Sequence, residues 1–308
     1  MRNELFIVTP FFNPFRFKSR VRLYEQFKRE MLAAGVKLLT VEAAFGDHPF
    51  EVTKAGDEWS LQFRTDSLLW HKERLINLGL EYLYVLYPEA WNFGWYDADI
   101  TFVRRDWVAQ TIRALMHHDV IQPFSQAIFL NKEEVELWHC ESTLSCFLNR
   151  RGFHQRPPLP LHYLMDGHPG LAWCATKRAL DCLGGLYDEC AAGSGDTVMA
   201  NCLKGGWNVF LPVSPTGGMA RSMERWAKRC ERHIKGNIGY VPGALLHHWH
   251  GPSEKRGYEK RWSILAFHDF DPHLDIERDT NGLWRWSGTK PKLRDDLRLS
   301  LSGRNEDE

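Results

Sequence analysis

Two aspartates one residue apart, Asp97 and Asp99, stand where an apolar run, Phe93-Gly94-Trp95-Tyr96, stops. Carboxylates at that spacing on a strand end can both approach a hard divalent cation. A Mg²⁺ or Mn²⁺ held by only one or two protein carboxylates keeps positions open for diphosphate oxygens. An ordinary solvated turn has the same pattern. A second group, His247-His248-Trp249-His250-Gly251, closes a late apolar run. Imidazole is a competent ligand for Mn²⁺ and other transition ions, although a hydrogen-bonded structural role is common for any single histidine. In extended chain His248 and His250 share a face and His247 points away. A third carboxylate, Asp196, follows Gly193-Ser194-Gly195 where a helix is expected to begin. Asp caps helices well, and in a cleft it is also a candidate general base for an attacking hydroxyl.

The elements that must hold these groups alternate. Leu5 to Thr9 is a short apolar strand ending at Pro10, and Ser19 to Ala34 carries a helical stripe closed by Gly35. Val36 to Val41 is a second strand, Leu68 to Tyr82 a helix, Trp91 to Tyr96 a third strand, Trp107 to His117 a helix, and Val120 to Gln122 a short strand. Such alternation predicts a mostly parallel sheet flanked by helices, with ligands at the carboxyl ends of its strands, where Pro10, Glu42 and Asp97 fall. Residues 1–125 therefore read as a nucleotide-binding half. Ser125 to Leu164, with Pro157, Pro158 and Pro160, reads as an insertion or crossing. Further on, Gly170 to Cys174 is a strand, Thr176 to Leu183 and Asp196 to Lys204 are helices, and Tyr240 to Trp249 is one returning strand. The tail from Asp295 is polar and expected to fray.

Lys plus Arg and Asp plus Glu balance at 39 each, which argues mildly against a dedicated nucleic-acid binder. Locally, Met219 to Trp262 carries ten basic residues against four acidic ones, a fit to a diphosphate, a nucleic-acid backbone or simply a solvated helix face. Seven scattered cysteines without a CxxC pair suggest reduced thiols rather than a disulfide frame or zinc site. No run approaches a membrane span and the start lacks a signal-peptide core, so the sequence reads as cytoplasmic. No GxGxxG follows the first strand, which speaks against a dinucleotide-dependent oxidoreductase.

The ordered set of pieces resembles the GT-A glycosyltransferases, in particular family-2-like and galactosyltransferase-like members. The matching pieces are Val8-Thr9-Pro10, Lys72 to Gly79, Trp95 to Ile100, His168 to Trp173, Gly184 to Asp188, Gly193 to Asp196 and the final His-Trp-His-Gly, spanning roughly residues 4 to 262. The resemblance implies an α/β GT-A fold, Rossmann-like, as a single domain over 1–265. Within it, 1–125 would be the nucleotide-sugar half and 165–265 the acceptor-binding, catalytic half, with 266–308 a C-terminal extension. It implies Mn²⁺ or Mg²⁺ on Asp97 and Asp99, completed by one of His247, His248 and His250, with His250 the first choice. It implies a nucleotide-sugar donor with Thr9, Pro10 and Glu42 near the nucleoside, Lys72 and Asp97 near the phosphates, and Asp196 as base for an inverting transfer. Glu42 points to a UDP-sugar. Relatives often carry two adjacent acids where this chain has Asp196-Thr197. The stretch Arg256 to Arg261, with Phe270-Asp271-Pro272, is similar to small bacteriophage-type members. That similarity implies 5-hydroxymethylpyrimidine in phage DNA as acceptor, with Trp138, Trp173 or Trp226 stacking on a flipped base. Glycan, lipid-linked and protein hydroxyls are the alternative acceptors, and a non-catalytic nucleotide-binding module is the alternative class.

Overall fold

The computed structural model describes residues 2–149, 167–207, 211, 213–252, 257–304 and 306–307. The prolines of the expected crossing and residues 253–256 of the basic stretch lie outside the described residues.

Along the chain the described strands are β1 (Leu5–Phe12), β2 (Lys37–Phe45), β3 (Ser60–Thr65), β4 (Asn92–Tyr96), β5 (Ile100–Phe102), β6 (Val120–Gln122) and β7 (Gln126–Leu130). They continue with β8 (Glu136–Glu141), β9 (Ala172–Thr176), β10 (Ile238–Tyr240), β11 (Ala244–His247), β12 (Ile276–Arg278) and β13 (Trp284–Trp286). The helices are α1 (Lys18–Ala33), α2 (Lys72–Leu86), α3 (Trp107–Leu115), α4 (Thr143–Asn149) and α5 (Lys177–Leu183). After them come α6 (Gly195–Leu203), α7 (Gly217–Arg229), α8 (Tyr258–Phe267), α9 (Pro272–Asp275) and α10 (Pro291–Ser302).

The protein is an α/β molecule built on a mostly parallel seven-stranded sheet, ordered β10-β6-β9-β4-β1-β2-β3. Pairings β10–β6, β4–β1, β1–β2 and β2–β3 are parallel, and β9 alone runs against its neighbours β4 and β6. Strand β1 is apolar apart from Thr9 because both of its faces are covered. Phe6 and Val8 enter the core packed by α2, α5, α6, α7, α8 and α10, whereas Leu5 and Ile7 enter the opposite core with α1 and α3. A second sheet, β5-β11-β7-β8, stands beside the first.

Two expectations need correction, and one strand was missed. The run Tyr240 to Trp249 is not one strand: Pro242-Gly243 breaks it, β10 stays in the large sheet and β11 joins the small one. A Pro-Gly pair is a turn signal that outweighs the surrounding apolar pattern. The polar C-terminal tail does not fray from Asp295. Helix α10 starts with Pro291 at its first turn and buries Leu293, Leu297 and Leu301, one face at four-residue spacing. Strand β3 went unread, because its half-buried edge position lets polar residues alternate with Leu61 and Phe63.

Candidate active site

From β1 the chain builds outward to β2 and β3, then returns to lay β4 on the other side of β1. The carboxyl ends of β1 and β4 therefore diverge at a topological switch point, where connecting loops leave a crevice. Pro10, Phe11 and Phe12 from the first strand and Asp97, Ala98 and Asp99 after the second line a cavity of about 200 Å³ there. Its other walls are the first turn of α2, the start of α6, and the segment following β11.

One corner of the cavity gathers Asp99, His247 and His250. Strand pairing makes it: β5 runs antiparallel to β11 with His247 opposite Ile100, and the His248 amide donates to the Asp99 carbonyl at 2.8 Å. Asp99 Oδ2 then lies 2.9 Å from His250 Nε2 and 3.7 Å from His247 Nε2, and the donor atoms of all three residues lie within 4.8 Å of one another. One carboxylate oxygen and two imidazole nitrogens form a mixed oxygen and nitrogen set that suits Mn²⁺ and leaves coordination positions for a ligand. The residues fit a divalent ion.

The other corner gathers Lys72, Glu73, Asp97 and Asp196. Lys72, first residue of α2, places Nζ 2.6 Å from Asp97 Oδ1 and 3.9 Å from Asp196 Oδ2. Burial works against the ammonium, but Asp97, Asp196 and Glu73 outweigh it and hold Lys72 protonated, above the usual lysine range. Burial raises the Asp97 carboxyl, with Lys72 opposing and Asp99 adding to the rise. Burial likewise pushes Glu73 up to about 8, against the pull of Lys72. Asp196 does not cap α6, since Ser194 occupies the cap position; its Oδ1 instead accepts from the Thr197 amide at 2.8 Å. Two glycines let these groups close up. A Cβ on Gly170 would stand 2.7 Å from Asp196 Oδ2, and one on Gly195 would stand 2.7 Å from the Glu73 carboxyl carbon.

Pro10, Lys72, Asp97, Asp99, Asp196, His247 and His250 all line this one cavity. His248 does not. The expected pairing of His248 with His250 assumed an extended chain, but β11 ends at His247 and the backbone turns. His248 is buried away from the cavity, with Nδ1 2.7 Å from Glu134 and Nε2 2.8 Å from Thr101 Oγ1, so both ring nitrogens are engaged. Asp97 faces Lys72 rather than the histidine pair. Thr9 and Glu42, expected near the nucleoside, do not line this cavity. Thr9 is buried and donates to the Tyr96 carbonyl, fastening β1 to β4. Glu42 is buried and accepts from the amides of Glu51, Val52 and Thr53 and from the Thr53 hydroxyl, fully occupied in holding that loop. Trp173 and Trp226 are core residues, and Trp138 stacks on Phe129 at 3.6 Å between ring centres.

Sequence reasoning missed several lining residues: Glu73, Arg20, Arg261, Arg304 and Glu306. Glu73 had a signal, since it sits beside Lys72 in a helix whose opposite face is apolar. The last two come from a tail more than fifty residues beyond His250 and carried no local signal.

No family model matches the chain, and no curated protein matches it in sequence. Among solved structures, a Desulfovibrio desulfuricans protein described as a nucleotide-diphospho-sugar transferase aligns over 98% of this chain and 97% of its own, at 9% identity and a TM-score of 0.33. The catalytic domain of Drosophila beta-1,4-galactosyltransferase 7, in complex with xylobiose, aligns over 94% and 97% at 8% identity and a TM-score of 0.38. A Bacillus anthracis protein described as a glucose-1-phosphate thymidylyltransferase, in complex with sucrose, aligns over 79% and 89% at 7% and 0.37. These likenesses are too slight to bear on function, which rests on the site itself. No helix among the described residues is long and apolar enough to cross a membrane.

Proposed function

We propose that this protein is a metal-dependent glycosyltransferase that moves a sugar from a nucleotide-sugar to an acceptor hydroxyl with inversion. One observation carries the reading: a metal-ligating triad, a protonated lysine and a carboxylate at a helix start meet in one crevice at the switch point of a parallel sheet. Asp99, His247 and His250 would hold Mn²⁺ or Mg²⁺, which when bound offers Lewis-acid stabilisation to a diphosphate. Lys72 supplies a fixed positive charge where the departing diphosphate gains negative charge. Asp196 accepts the proton of the attacking hydroxyl as its oxygen bonds to the anomeric carbon, while the bond from that carbon to the phosphate oxygen breaks. The nucleoside diphosphate leaves with the electron pair of the broken bond.

The preference for a uridine nucleotide loses its basis with Glu42, so the donor's base is open to a screen. Thermal shift with a panel of nucleotide-sugars, each with and without Mn²⁺, identifies the donor by mass-action stabilisation. The shift should require the metal and vanish in Asp99→Asn. Equal shifts for both proteins, or none with any donor, would overturn the proposal. Metal-dependent hydrolysis of the donor without acceptor separates an enzyme from a binding module.

The DNA acceptor draws on the bacteriophage-type similarity and on the basic segment, three of whose cations pair with carboxylates. Arg221 pairs with Asp271, Arg225 with Glu189 and Lys228 with Glu224, while Arg229 donates to the Leu183 carbonyl. We therefore favour an acceptor defined by its hydroxyl, and set hydroxymethylated DNA, unmodified DNA and oligosaccharides side by side as acceptors. Turnover with hydroxymethylated DNA alone, falling steeply with salt, would restore the DNA reading.

A further inference from the structure

The cavity wall nearest the metal triad is completed by the end of the chain. Helix α1 begins at Phe17, which offers no capping side chain, and has no acidic residue in its first turn. Its first amides are satisfied from far away: Asp307 accepts from the amides of Lys18 and Ser19 at 2.9 and 2.8 Å, and the Ser19 hydroxyl donates to the Glu306 carbonyl. This lays Glu306 into the cavity. Only 3% exposed, its carboxylate takes two bonds from Arg20, at 2.5 and 2.8 Å, and an ion pair from Arg304 at 3.1 Å. Glu306 Oε2 then stands 3.6 Å from His250 Nδ1, while His250 Nε2 faces Asp99 at 2.9 Å. On the opposite side Arg304 and Arg261 each lie over Trp70, at 5.2 and 5.1 Å from the ring centre.

A ligating histidine needs its second nitrogen held, because a partner there fixes the tautomer, aims the ring and raises the basicity of the ligating nitrogen. We propose that Glu306 is the positioning residue of the metal centre, orienting His250 through Nδ1 so that Nε2 faces the ion beside Asp99 and His247. Asp307 pins the tail and Arg20 anchors the Glu306 carboxylate, so the C-terminal segment is part of the active site. This inference rests on the metal-dependent reading above.

The test is Mn²⁺ affinity of the full-length protein without donor or acceptor, by titration followed through the EPR signal of free Mn²⁺. Glu306→Ala should weaken binding about 10- to 100-fold, the range for losing such an outer partner. Glu306→Gln, which keeps an acceptor oxygen, should recover part of that loss, and decides the matter on its own where the alanine variant does not fold. Asp307→Asn should lower Tm through the weakened cap and weaken Mn²⁺ binding less than Glu306→Ala does. Wild-type affinity in both Glu306 variants, with Asp99→Asn abolishing binding, would overturn the role of Glu306 and spare the metal site. An Asp307→Asn loss as large as that of Glu306→Ala would assign the effect to tail docking and also overturn it. Equal binding by wild type and Asp99→Asn would remove both readings together.

Discussion

The two corners of the cavity are built on opposite principles. The triad of Asp99, His247 and His250 turns one carboxylate oxygen and two imidazole nitrogens towards each other, with a cation as the natural complement. The corner of Lys72, Glu73, Asp97 and Asp196 already contains its cation, a lysine ammonium amid three carboxylates. Burial raises Glu73 and Asp97, and the neighbouring acids add to the rise against the pull of Lys72. The first corner is thus organised to recruit an ion, and the second to hold and move protons. A transferase needs both, since the leaving group gains charge on one side while the acceptor loses a proton on the other.

That contrast can be broken at several points, the largest effect first. Asp196→Asn should cut transfer by about 10²–10⁴-fold, the scale of a lost general base, with donor affinity unchanged by titration calorimetry. A matching loss of donor affinity would move Asp196 into donor binding. Lys72→Met should cost about 1.5–3 kcal/mol of donor binding, roughly 10- to 100-fold in Kd, because the lysine's charge-assisted contact to phosphate is lost. An unchanged Kd would leave Lys72 only the task of balancing Asp97.

The proton-holding corner also carries a pH signature in stability. Glu73 binds its proton up to about pH 8 in the folded protein, against a model-peptide value of 4.5. Its contribution is complete below 4.5 and is lost as pH rises through about 8, because the unfolded chain has given up that proton and the folded one has not. Between pH 6.5 and 8 this amounts to about 2 kcal/mol, seen as a falling Tm that Glu73→Gln should flatten. The window starts at 6.5 for a reason. Burial lowers His71 to about 4, and its effect has the opposite sign, stability climbing with pH from about 4 to 6.5. A wild-type Tm that is flat above 6.5 would mean Glu73 is ionised in the fold. The smallest effect belongs to Thr9→Val, which strips the bond to the Tyr96 carbonyl and should cost about 1 kcal/mol in a denaturant melt. Donor KM should not move, and a shift there would return Thr9 to the nucleoside.

Local pattern was enough for the scaffold and for part of the site. The apolar run of β1, the stripe of α1 and the break at Gly35 declare themselves over a few residues, because strand and helix periodicities are short-range properties. Asp97, Asp99 and Asp196 were legible for a related reason: carboxylates at a strand end or beside a Gly-Ser-Gly turn stand out from their neighbours. Which histidines converge was not legible. Alternation along an extended chain selects His248 with His250, and the turn after β11 selects His247 with His250 instead.

The sequence by itself determined an α/β protein whose strand-end carboxylates and clustered histidines are suited to a cation and a diphosphate. Only the tertiary structure decided that Thr9 and Glu42 serve the scaffold, that Lys72 bridges Asp97 and Asp196, and that the last residues reach back to the metal corner. The reason is physical. Propensity and periodicity act over a few residues, whereas the partner of a buried charge is chosen by whichever distant segment the packed core brings within hydrogen-bonding distance, as Asp307 and Glu306 are brought to Ser19 and Arg20 across nearly the whole chain.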